Sequence, residues 1–229
     1  MKCPLTLVAM AAHARELPEV RTEVLRLCWK GSAKRAIFVP LAWMPTDFDE
    51  MLYSGAARSR RMNARTMAPP QVELLMPDSP ELLQATREIF LEYAQGLGID
   101  LAFQNFEQEL AELPGEYAPP QGVLLLAFVD GALAGCGALR PLPEADAPNA
   151  CEMKRLYVRR PFRRFGLGRL LAQALMDRAT EAGYSSMLLD TLDEMEAARG
   201  LYASLGFEDV PPYYYNPIPG AHYLCASLG

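Results

Sequence analysis

The chain has 229 residues, 51% of them hydrophobic, with 28 acidic against 22 basic side chains and a net charge of −6 at neutral pH. That balance argues against a protein that coats nucleic acid, because an acidic surface repels a long phosphate backbone, and the apolar share is enough for a proper core. No run is long enough to span a bilayer, and the five cysteines (Cys3, Cys28, Cys136, Cys151 and Cys225) are scattered, odd in number and free of any Cys-x-x-Cys spacing. They argue against a disulfide scaffold or a metal site and for reduced thiols in a cytoplasmic protein.

The first 66 residues hold eleven basic and six acidic side chains, a net of +5, and read as an extension that is poorly ordered or outside the functional domain. Residues 20–29 have the pattern of one amphipathic helix and 37–43 that of one short apolar segment, too little to close a core. Residues 58–65 read as a charged coil. The apolar run 5–12 is short, and one flanking lysine makes a weak case for a secretion signal. Met67 is a natural start for a compact domain over 67–229.

Within that domain a strand is expected over 72–76. Ser79 and Pro80 then cap and open a helix over 81–95, and a second helix follows over 105–113. The apolar run 123–129, the turn pair Asp130-Gly131 and the run 132–139 read as a β-hairpin. A proline-rich linker leads to a strand over 151–158, which Pro161 prevents from continuing. Leu167, Leu171, Leu175, Ala179 and Ala182 share the face of a following helix, with Gly183 past its end. A strand over 186–190, a short helix around Tyr202 stopped by Gly206, and strands near 211–215 and 222–227 complete the order. This alternation implies an α/β (α+β) domain, a mixed sheet flanked by helices.

The run Arg163-Arg164-Phe165-Gly166-Leu167-Gly168 joins the strand over 151–158 to its helix. Its glycines fall where the unpaired amides of a first helical turn point outward, so phosphate oxygens can approach several N–H groups at once. It is not a P-loop, since no Gly-Lys-Ser/Thr follows, and Leu171 occupies the place of the third glycine of a dinucleotide fingerprint. Beyond Met67 the chain carries eleven basic and 22 acidic side chains, yet eight of the eleven fall between residues 154 and 178. An island of positive charge in an acidic domain suits a small polyanion.

The pattern Arg163-x-x-Gly166-x-Gly168 resembles the coenzyme A pyrophosphate loop of the GNAT superfamily, the acyl-CoA-dependent N-acyltransferases. Two more segments match in register. Residues 151–158 resemble the superfamily's central strand beside the pantetheine arm, and 197–207, with Tyr202 followed by Leu205-Gly206-Phe207, resemble its second hallmark. Together the matches cover about 150–208. The resemblance implies the GNAT fold, a mixed and mostly antiparallel central sheet flanked by helices, from about Val72 onward, with acetyl-CoA as co-substrate and no metal.

By the same resemblance, Leu156, Tyr157 and Val158 hold the pantetheine arm, an amide near Leu156 meets the thioester carbonyl, and Arg163, Arg164, Phe165, Gly166, Leu167, Gly168 and Arg169 hold the pyrophosphate. Tyr202 takes the place of the tyrosine that protonates the CoA thiolate in many members. A model phenol titrates near 10 and a thiol near 8.5, so complete transfer is uphill by roughly 1.5 units and a strong hydrogen bond is the better description. Glu152 is the central-strand acid best placed to take the amine proton, although simple alternation sets it on one face with Lys154 and Leu156. The aromatic-rich run 213–223 is expected to line the acceptor end. The expected reaction is transfer of an acetyl group from acetyl-CoA to the primary amine of a small-molecule or amino-acid-like acceptor in a ternary complex. A homodimer is compatible with this reading; nucleic acid and membrane are not expected partners. The alternative is a regulatory module that binds acyl-CoA without catalysis.

Overall fold

The computed structural model describes residues 35–38, 70–163 and 165–229. The helix expected over 20–29, the coil at 58–65 and Arg164 lie outside the described residues. Arg35–Phe38 (β1) pairs antiparallel with Val72–Leu75 (β2), so one edge strand comes from the stretch read as an extension.

Pro80–Leu97 forms α1, opened as expected by Ser79, whose hydroxyl accepts from the Leu82 amide at 3.3 Å. Gly98, at φ 68°, closes it. A 3-10 turn at Ala102–Gln104 leads into α2, Phe106–Glu112. The hairpin of β3 (Val123–Val129) and β4 (Ala132–Pro141) turns at Asp130 and Gly131, both at positive φ, the geometry whose twist suits a two-residue connection. Then come β5 (Ala150–Val158), α3 (Leu167–Glu181), β6 (Ser186–Leu192), α4 (Glu196–Ser204), β7 (Glu208–Asp209) and β8 (Ala221–Ser227).

The strands form one sheet in the order β1-β2-β3-β4-β5-β6-β8-β7. Only β5 and β6 run parallel. This is the mixed, mostly antiparallel sheet that the sequence implies. Helices cover both faces because alternate strand residues are apolar on each. Leu167, Leu171, Leu175 and Ala179 of α3 pack on Leu125, Ala127, Cys151 and Met153, with α4 alongside. Ile89 and Phe90 of α1 and Phe106 of α2 pack on Leu124, Leu126 and Cys136 across the sheet. Cys136 and Cys151 are free and buried, and burial pushes the Cys151 thiol up to about 12.

Three local expectations change. Ala182 lies past the end of α3 and is exposed. The strand expected near 211–215 is absent; Pro211 and Pro212 have no amide to donate to a ladder, and pairing stops after Asp209 and resumes at Ala221. The third change is in β5, where Arg155 takes φ 57° and two residues, Arg155 and Leu156, stand opposite Gly137 alone. This bulge resets the alternation. Lys154 and Arg155 both turn toward α1 and α2, while Leu156 moves to the α3 face, so Leu156 does not share the face of Glu152. Gly137 makes the arrangement possible, since a Cβ there would come within 2.9 Å of Leu175 Cδ1 and 3.3 Å of Leu156 Cδ1.

Candidate active site

The parallel contact between β5 and β6 lasts for three residue pairs, ending at Glu152 and Leu188. Beyond them the strands part, and the edge of β5 over 156–158 has no strand partner among the described residues. A cleft opens in the gap, lined by Leu156 from β5, Asp190 from β6, Tyr202 from α4 and the 97–104 segment that links α1 to α2. An extended amide-bearing arm can lie along such an edge as another strand would.

At one end of this edge lies the glycine loop. Gly166 is the N-cap of α3 at φ 73°, with no side chain capping the helix, and the first helical bond runs from the Leu170 amide to the Gly166 carbonyl at 3.0 Å. The amides of Leu167, Gly168 and Arg169 are therefore left to an outside acceptor, at the positive end of the helix dipole. Gly168 packs its backbone toward Leu201 and Val158. Arg163 braces the loop, donating from Nε to the Val158 carbonyl at 2.8 Å, with its guanidinium over the Tyr157 ring. The Arg169 side chain is tied to Ser204. Phe165 is exposed.

The basic island seen in the sequence is divided by the fold. Lys154, Arg155 and Arg159 turn away from the loop to pair with Asp190, Glu109 and Glu92 respectively. Arg178 pairs with Glu181 on α3. Of the described residues in that run, Arg160, Arg163 and Arg169 are the cations near the loop without a carboxylate partner.

Tyr202 is 7% exposed and packs on Phe207. Burial, and after it Tyr93 and the charge of Asp190, hold its phenol above the usual range. Its hydroxyl has no hydrogen-bond partner among the described residues, yet it is not sealed from the cleft. Glu152 differs in every respect. It is 1% exposed, Arg140 Nε donates to one carboxylate oxygen at 2.8 Å, and the Tyr213 hydroxyl donates to the other at 2.9 Å, with Lys154 Nζ 3.6 Å away. Both oxygens are occupied, so this carboxylate does not face the cleft. Burial, followed by the Glu152 charge, raises the Tyr213 phenol far above its ordinary value. Tyr157 turns its hydroxyl to Glu92 at 3.0 Å, away from the open edge.

Residues 83–207 match the sequence model of the Acetyltransferase (GNAT) family. The chain belongs to that family. It is 42% identical over 159 residues to an uncharacterised N-acetyltransferase of Schizosaccharomyces pombe, covering 69% of this chain and 96% of that one. An acetyltransferase from Streptococcus agalactiae shares the fold at a TM-score of 0.56 and 18% identity, over 69% of this chain and 98% of its own. The PaiA N-acetyltransferase of Thermoplasma acidophilum, solved in complex with coenzyme A, aligns at a TM-score of 0.51 and 18% identity, over 68% and 98%.

In this GNAT acetyltransferase the cleft also holds a charged residue that the sequence reading did not single out. Asp190 lines it, accepts from Lys154 Nζ at 3.4 Å and from Asn216 Nδ2 at 3.5 Å, and lies close enough to raise five phenols by its charge. Tyr214, from the aromatic run, accepts from Gln104 at 3.3 Å and Asn216 at 3.2 Å. The available signal was a charged residue closing the apolar run 187–189, at the end of a strand. Among the described residues no group of three His, Cys, Asp or Glu side chains is arranged to hold a metal. No described helix is long and apolar enough to cross a membrane.

Proposed function

We propose that this GNAT acetyltransferase moves an acetyl group from acetyl-CoA to the primary amine of a small-molecule acceptor within a ternary complex. The observation that carries the reading is the Tyr202 hydroxyl, which belongs to a buried ring, opens on the cleft and has no hydrogen-bond partner among the described residues. A hydroxyl that opens on a cleft without a protein partner can donate to a group that enters.

The donor would lie along the open edge of β5 at Leu156, Tyr157 and Val158. Its pyrophosphate would rest on the amides from Phe165 to Arg169, with Arg160, Arg163 and Arg164 supplying positive charge. The coenzyme A complex of PaiA supports this choice of donor. As the amine nitrogen bonds to the thioester carbon, charge develops on the carbonyl oxygen near the Leu156 amide; the C–S bond then breaks. Tyr202 stabilises the departing thiolate. Its raised phenol favours a donated hydrogen bond over a surrendered proton, so the proton that ends on sulfur comes from the newly acylated nitrogen. Glu152, with its oxygens already engaged, positions Arg140, Lys154 and Tyr213 and is not the group that meets the amine.

The test is thiol release from acetyl-CoA by the full chain across a panel of primary amines, amino acids and short peptides. Release with at least one amine is expected. Tight acetyl-CoA binding with no release from any of them would favour a binding module without catalysis.

A further inference from the structure

Five charges alternate in a line from solvent into the cleft. Glu116 meets Arg140 Nη1 at 2.6 Å, Arg140 Nε meets Glu152 at 2.8 Å, Lys154 Nζ lies 3.6 Å from Glu152, and Lys154 Nζ lies 3.4 Å from Asp190. Three carboxylates face two cations, so the line has one negative charge in excess. Its outer end, Glu116, is 66% exposed, where solvent screens its charge. Its inner end, Asp190, is 15% exposed and opens on the cleft. The neighbouring cation Arg155 cannot serve it, because both arms of that guanidinium are bound to Glu109 and Gln104.

The Asp190 contacts are loose. Its oxygens stand 3.4 Å from Lys154 and 3.5 Å from Asn216, with the Tyr214 hydroxyl as a neutral third partner, whereas charge-assisted bonds close to about 2.7–2.9 Å. The carboxylate therefore retains capacity for a closer cation, in the same cavity as the unpartnered Tyr202 hydroxyl. The wall provided by Leu97, Ile99, Leu101 and Phe103 is apolar and carries no cation for a phosphate.

We infer that Asp190 is the seat of the acceptor's ammonium group, and that the acceptor is a primary amine with an apolar body lying against the 97–103 wall. The inference rests on the acetyl-transfer reading of the same cleft and names its substrate class. The steps balance as follows. R–NH₃⁺ binds Asp190 and gives it one proton as water is excluded, and the neutral nitrogen forms the N–C bond. The C–S bond breaks with its electron pair going to sulfur, the second nitrogen proton passes to the thiolate, and Asp190 returns its proton to solvent. The net products are R–NH–acetyl, CoA thiol and one proton. Glu152 keeps Lys154 in place beside this seat and is a positioning residue.

The experiment is calorimetric titration of the full chain saturated with coenzyme A, using three probes: 2-phenylethylamine, its neutral isostere 2-phenylethanol, and ethylamine. The parent protein should bind phenylethylamine more tightly than the alcohol, on the order of 10-fold or more, and more tightly than ethylamine. Asp190→Asn should bind amine and alcohol alike while keeping its coenzyme A affinity. Equal affinity for amine and alcohol in the parent overturns the seat without recourse to any variant, as does a preference that survives in Asp190→Asn. Ethylamine binding as tightly as phenylethylamine overturns the apolar body. A parent that prefers the amine but releases no thiol from acetyl-CoA with any amine leaves the seat standing and defeats the transfer reading alone.

Discussion

The two ends of the cleft are built by different means. The glycine loop is made of consecutive residues, and the groups proposed to bind there are backbone amides exposed by one positive-φ glycine and the start of one helix. The proposed acceptor end is made of side chains from β4, β5, β6, the α1–α2 segment and the 213–216 loop, held by ion pairs and by hydrogen bonds between residues up to 110 positions apart. A backbone-built site tolerates change in most of its side chains. A site assembled from buried charges does not, because removing one partner leaves another uncompensated in a low-dielectric interior.

The sharpest way to separate the ends is Tyr202→Phe, which keeps the ring packing on Phe207 and removes only the hydroxyl. Turnover should fall by about 10²- to 10⁴-fold while acetyl-CoA affinity holds. Full activity in a steady-state assay would show that the thiolate finds its hydrogen bond elsewhere. At the donor end the expected loss is in binding. Gly166→Val forces a branched residue to φ 73°, at a cost of roughly 1–2 kcal/mol, and sets γ-carbons beside the open amides. Acetyl-CoA affinity should drop by about 100-fold in calorimetric titration. An unchanged dissociation constant would remove the loop from the donor site.

Glu152→Gln tests the network rather than the chemistry. Lys154, 6% exposed, and Arg140 would share one fewer counter-charge, and urea unfolding should register a loss of about 3 kcal/mol. If the amine meets Asp190 as proposed, the shape of the pH–rate profile should persist; a flattened acidic limb would return the base role to Glu152. The smallest expected effect is alkaline. Burial, the largest cause, pushes Tyr93 up to about 12 and holds Tyr117, Tyr202 and Tyr213 above the ordinary phenol range as well. Unfolded phenols titrate near 10, so the protons these residues retain stabilise the fold fully below pH 10, and that stability is lost as pH rises toward about 12 and beyond. Phenolate absorbance followed together with circular dichroism should show late ionisation coupled to unfolding. Ionisation of all ten tyrosines near pH 10 with the fold intact would contradict the buried cluster.

By itself the sequence determined nearly every element of residues 70–229 and the conformation of the glycine loop, because these rest on local spacing: the i, i+4 stripe of Leu167, Leu171 and Leu175, the Ser79-Pro80 cap, the Asp130-Gly131 turn, the two glycines at the start of α3. Tertiary structure alone decided which carboxylate faces the cleft. Alternation predicted one face for Glu152, Lys154 and Leu156, and a single residue at positive φ, Arg155, broke the pattern, turning Leu156 to α3 and bringing two cations to the opposite face. Tyr213 and Tyr214 have the composition of a strand yet form a loop whose hydroxyls reach Glu152, Gln104 and Asn216. Spacing cannot encode such choices. A buried charge is governed by whichever partner the fold brings within about 4 Å, and here those partners are joined only by strand pairings remote in the chain.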